Sequence, residues 1–183
     1  MLSCGKDGGS TKDDSRVVDL GLSVKWASCN IGATTPSGSG GFYAWGEVEE
    51  KATYSKSNYS SGSVDIATAK WGAPWRMPTL AEWEELLERC TWKIVSKGGI
   101  YGCEFTGPNG NTIFLPAAGW KTDDKYIYPG ADCIYWSATL CEDKTKAFLF
   151  YFGQDHIKET WEGEVPFTSY NPRYAGYSVR AVQ

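Results

Sequence analysis

The residues able to do chemistry in this chain are few. His156 supplies the only imidazole among 183 residues. No G-x-S-x-G elbow precedes it, so a nucleophilic triad finds no support. The six cysteines include no C-x-x-C pair, and beside a single histidine they make a zinc site improbable. The 22 acidic residues would allow a carboxylate-pair glycosidase in principle, but no spacing singles out a pair. Neither catalysis nor a cofactor is expected.

What the chain has in abundance is aromatic area. Nine Trp and eleven Tyr are heavy for this length. Such residues fill cores, and they also give binding surfaces flat amphipathic contact. The net charge of −4, with no basic stripe, argues against a nucleic-acid partner. No apolar run approaches the ~20 residues of a membrane span.

The opening "MLSCGKDGGSTKDDS" is rich in Gly, Ser, Lys and Asp, so residues 1–15 are expected to be a solvated, flexible tether. "LSC" before it looks like the end of a bacterial lipoprotein signal, with Cys4 as the lipid-bearing residue. That reading implies export and a lipid anchor at the outer membrane or cell surface, with no other contact with the membrane. If Cys4 is lipidated, five cysteines remain and at least one thiol is free. In an exported chain, Cys29 with Cys90 is the expected disulfide, the rest being buried filler.

Residues 16–183 read as one domain. "VVDLGLSVKW" alternates as a strand, or as a tight pair of strands interrupted by Gly21. Residues 48–64 are polar and Ser-rich, and read as a surface loop. In "WGAPWRMPTLAEWEELLERC", Thr79 caps a helix and Glu82 completes a capping box. Leu80, Trp83, Leu86, Leu87 and Cys90 form its apolar face. "GCEFTGPNGNTIFLP" is a hairpin turned at "GPNG". "DCIYWSATL" and "KAFLFYFG" are strands, the second apolar on both faces as a central strand would be. "QDHIKETW" returns antiparallel, "EGEVPFTSYNPRYAG" is a loop, and "GYSVRAV" closes the fold as a half-buried strand. The sum is α+β with antiparallel sheets and one or two helices.

Six phrases, "VDLGLSVKWASCNIGA", "FYAWGE", "WRMPTLAEWEELL", "GNTIFLPAAGW", "YWSAT" and "GYSVRAV", together resemble the Fibrobacter succinogenes major paralogous domain family, common in exported proteins of Bacteroidetes. Parts of them also look like formylglycine-generating enzyme domains and the variable proteins of diversity-generating retroelements. The resemblance implies a C-type lectin-like fold and a non-catalytic surface module that binds a glycan, peptide or protein. In the variable proteins the ligand face lies on the last hairpin and the loop before the final strand. Carried onto this chain, the candidates are Gln154, His156, Lys158, Trp161, Tyr170, Asn171, Tyr174 and Tyr177. Arg173 and Arg180 are expected to be framework, holding carboxylates or carbonyls. The paired thiols of the formylglycine-generating enzymes have no counterpart, because no cysteine follows Cys141. The acid-amide-proline loop and Trp-Asn-Asp strand of calcium-dependent lectins are also missing, so binding is expected to be calcium-independent. The alternative is a structural or assembly subunit of a cell-surface complex.

Overall fold

The computed structural model describes residues 15–153 and 167–183. Cys4, Gln154, His156, Lys158 and Trp161 lie outside them. The fold is α+β. Among the described residues, ten strands form four small antiparallel sheets with two α-helices.

β1 (Val17–Val18) and β2 (Trp26–Ala27) pair antiparallel, the strand pair that "VVDLGLSVKW" suggested. α1 (Ile66–Trp71) stands just after the polar segment and was not expected. Its signal is Asp65, whose Oδ1 accepts from the backbone N–H groups of Ala67 (2.9 Å) and Thr68 (3.0 Å). α2 (Leu80–Arg89) begins with the expected capping box: Thr79 Oγ1 accepts from Glu82 N (3.3 Å), and Glu82 Oε2 accepts from Thr79 N (2.7 Å). Burial alone would raise the Glu82 carboxyl, but hydrogen bonds from Arg76 and Thr79 outweigh it and hold it below the usual range. α2 buries Trp83 and Leu86, and Cys90 closes its end.

β3 (Thr91–Lys97), β4 (Ile100–Thr106) and β5 (Thr112–Pro116) form one sheet in that order. The β4–β5 hairpin is the one expected; β3 was not. It is half-exposed, without the apolar run that marks the others. Its signal is Gly98–Gly99, with φ of 62° and 81°, a two-residue hairpin turn. β6 (Trp120–Thr122) and β7 (Lys125–Ile127) make a second short hairpin. β8 (Cys133–Leu140), β9 (Lys146–Phe152) and β10 (Phe167–Pro172) form a sheet with β9 in the centre, as its two apolar faces implied. β10 falls inside the segment expected to be a loop. It stands at the edge of this sheet among the described residues and buries little, so its sequence lacks an apolar signature.

The closing stretch departs from expectation in a second way. Instead of one half-buried strand, residues 175–182 are buried on every side, Ser178 and Arg180 included. They touch several elements in turn: Gly176 bridges Lys121, Tyr177 bridges Tyr43, Ser178 bridges Tyr135, and Val182 bridges both Trp26 and Arg76. Arg180 donates Nε (3.0 Å) and Nη2 (2.8 Å) to Asn30 Oδ1, Nη1 to Ala27 O (3.1 Å) and Nη2 to Phe114 O (2.8 Å). It is therefore framework, and it holds an amide and carbonyls. Burial lowers the guanidinium to about 10.

The aromatic wealth goes mostly inward. One cluster gathers Trp45, Trp75, Trp136 and Tyr177; a second gathers Trp26, Trp83, Tyr135 and Phe150.

The expected Cys29–Cys90 disulfide is not formed. Cys90 is a buried free thiol packed with Trp83 and Leu86 at the end of α2, whereas Cys29 is disulfide-bonded and lies 3.7 Å from Ala33 O. Cys103, Cys133 and Cys141 are also free. Burial pushes the Cys90 thiol up to about 11 and Cys133 to about 12, and raises Cys103 as well. At pH 8 these three should be inert to a thiol reagent in the native protein, while half-buried Cys141 reacts. In denaturant without reductant, at least these four thiols should be titrated. Fewer than four would mean that one of these residues is oxidised.

Candidate functional site

The end of β10 meets two turns, and a pocket opens between them. The first turn is the short 3-10 segment Lys56–Asn58. Asn58 fixes it, its amide donating to Thr53 O (2.8 Å) and its Oδ1 accepting from Ser55 N (3.1 Å). Tyr59 follows, its hydroxyl donating to Trp45 O (2.7 Å). The second turn joins β8 to β9. Lys144 N donates to Cys141 O (2.9 Å) with Lys144 at φ 55°, and Asp143 Oδ1 accepts from Thr145 N (3.0 Å).

Arg173 ties these walls together. Its backbone N–H donates to Thr145 O (3.2 Å), Nη1 to Lys144 O (3.0 Å) and Nη2 to Gly62 O. The guanidinium lies 4.4 Å from the Trp45 ring centroid and 5.4 Å from that of Tyr59. It too is framework, and carbonyls are what it holds.

The pocket has a volume of about 490 Å³. Lys56, Tyr59 and Ser61 line it from the first turn, Lys144, Thr145 and Lys146 from the second, and Pro172, Arg173 and Tyr174 from the strand end. Four of these described lining residues are cations and none is a carboxylate. Nearby Glu47 forms an ion pair with Lys51, and the Asp143 carboxylate is engaged by Thr145. That hydrogen bond is the first cause of the lowered Asp143 carboxyl, with the charge of Lys146 a smaller one.

Of the expected binding residues, the structure brings Tyr170 and Tyr174 to this end of β10. Tyr170 is 52% exposed, set edge-on to Phe148 with Lys146 Nζ 4.9 Å from its ring centroid. Tyr174 is half-buried in the pocket wall. Asn171 is engaged internally, its amide donating to Tyr177 Oη at 2.7 Å. Tyr177 is not a surface residue. It is 1% exposed, 4.5 Å from the Trp136 ring and 5.6 Å from Trp120. Because the closing segment is buried on both sides, alternation there does not separate inside from outside. The pocket residues Lys56, Tyr59, Lys144 and Lys146 were missed. The "DKTK" run between two strands was the available signal, and alone it reads as an ordinary solvated turn.

Among the described residues, no group of three or more His, Cys, Asp or Glu is placed to hold a metal ion, and no helix is long and apolar enough to cross a membrane. Comparison of the chain with protein families, characterised proteins and solved structures finds no match.

Proposed function

We propose that this chain is a non-catalytic, calcium-independent binding module of the cell surface, with a C-type lectin-like fold of the major paralogous domain family. Its ligand, a glycan, peptide or protein, meets the end of β10 and the two turns beside it. The observation that carries this reading is the convergence at one strand end. Tyr170 is exposed on the sheet with Lys146 Nζ against its ring, and Lys146 and Tyr174 both line the pocket. Tyrosines give large contact area with few rotors to freeze, and lysines add adaptable donors.

The proposed anchor is a lipid on Cys4. A thioether and a disulfide exclude each other on one sulfur, so a non-reducing peptide map that names the partner of Cys29 also tests the anchor.

A screen of glycans and mucosal proteins, with and without chelator, tests the binding reading. A ligand should be lost by Tyr170→Ala/Tyr174→Ala, be indifferent to chelator, and survive Tyr177→Phe. The last change removes one buried hydrogen bond, at about 1 kcal/mol of stability, without touching the pocket. A ligand that survives the double alanine variant places the site elsewhere.

One observation favours an assembly subunit instead: β10 is an edge strand among the described residues, with Phe167 and Tyr170 exposed on it. Oligomers abolished by Phe167→Lys, with no ligand found, would establish that reading.

A further inference from the structure

We infer that the pocket at the end of β10 takes an acidic sugar, a glycan unit bearing a carboxylate or a sulfate. This rests on the binding-module reading and goes beyond it by naming the ligand's chemical class.

The charge distribution is the first reason. The chain carries 22 acids against 18 Lys and Arg, yet the described lining of this pocket has four cations and no acid. Among the described residues, Lys56, Lys144, Lys146 and Arg173 form no ion pair with a carboxylate. A cleft whose described lining holds four cations and no carboxylate raises the local concentration of anions.

The second reason is which cations are free to act. Both terminal nitrogens of Arg173 are committed to carbonyls of the pocket's own walls, so it contributes fixed positive charge and rigidity. The three lysines line the pocket on flexible stems, Lys146 with its ammonium against the Tyr170 ring, and supply the donors. Ammonium groups act as point charges and do not demand the planar two-pronged geometry that arginine imposes. A carboxylate or sulfate whose position varies along a sugar chain suits them.

The third reason is size and surface. A bare oxoanion would leave most of about 490 Å³ unfilled, whereas that volume lies within the range of small-molecule sites, roughly 300–1,000 Å³. Tyr174 adds aromatic area to the lining for the C–H side of a pyranose, and Ser61 adds a hydroxyl for its hydroxyls. The net charge of −4 disfavours a polynucleotide as the bearer of the negative charge.

Calorimetric titration of the full chain tests the inference. The probes are sialyllactose, trigalacturonate and a heparin-derived tetrasaccharide, set against lactose, inorganic sulfate and AMP. The variants are Lys144→Gln/Lys146→Gln and Tyr174→Ala, each checked for an intact fold by circular dichroism. At least one acidic sugar should bind about tenfold or more tightly than lactose, and more weakly as salt rises. The double lysine variant should lose about tenfold of that affinity, and Tyr174→Ala should lose affinity as well. The arms separate carboxylate from sulfate as the recognised group.

Equal binding of lactose, unaffected by the lysine change, overturns the acidic class and leaves the binding module standing. Sulfate or AMP bound as tightly as the best sugar overturns the glycan assignment in favour of a small-anion site. If no probe binds, the inference is overturned. The binding-module reading then fails too only if the wider screen finds no ligand sensitive to Tyr170→Ala/Tyr174→Ala.

Discussion

Arg180→Ala should remove about 4 kcal/mol of folding stability, read as a fall in the urea midpoint with an unchanged slope. The guanidinium is fully buried and satisfies three acceptors at once: Asn30 Oδ1, Ala27 O and Phe114 O. A buried acceptor stripped of its donor costs about 1–3 kcal/mol. The lost charge offsets part of this, because burial already disfavours the protonated guanidinium. The balance still favours a large loss, since alanine relieves one penalty and creates three, and also leaves a cavity. Arg180→Lys should recover little. An ammonium keeps the charge but cannot span acceptors on three separate segments. A loss below about 1 kcal/mol would mean that the cost of burying the guanidinium nearly equals the worth of its hydrogen bonds.

Trp83→Ala is expected to cost a similar amount, about 3–5 kcal/mol, for an apolar reason. Trp83 is the largest side chain that α2 buries in the second cluster, beside Leu86. Its ring is stacked on Phe150 at 4.9 Å and tilted against Trp26 at 4.8 Å, and its indole N–H donates to Trp136 O at 3.3 Å. Trp83→Phe keeps part of the packing and loses the donor, so it should fall between wild type and alanine. The two sites are connected. Tyr135 lies 6.0 Å from Trp83, and its hydroxyl accepts from the amide of Asn30, the residue that Arg180 grips. The losses in the double variant should therefore depart from simple addition, whereas losses at distant, independent sites add. Chemical unfolding of the four species forms the cycle that measures this. A coupling near zero would mean that the polar network and the aromatic cluster are independent.

The parts of the fold legible in the sequence were those written in local chemistry. Thr79 and Glu82 mark the start of α2 because the same two side chains close both hydrogen bonds of its capping box. The β4–β5 turn was readable because "GPNG" carries residues that accept its backbone angles, and the central place of β9 because its apolar run continues on both faces, although Phe148 and Tyr151 are only partly buried. β3, β6, β7 and β10 were not legible, since half-exposed strands have neither clean alternation nor a continuous apolar run. The pocket was hidden for another reason. Lys56, Lys144 and Arg173 are brought together only by the meeting of two turns and a strand end, a matter of tertiary placement. Tyr177 misled because its alternation was real but both neighbouring faces are covered.

The order of synthesis gives the closing segment a further meaning. Partners of residues 176–182 lie near residues 26, 43, 76, 121 and 135, spread over most of the chain's length. A ribosome delivers those partners before the segment that joins them. Local hairpins and α2 can form on the nascent chain, but the elements cannot lock together until residue 182 has cleared the exit tunnel. A chain cut before residue 176 would therefore yield no shortened domain, only a set of unfastened pieces for proteases to remove.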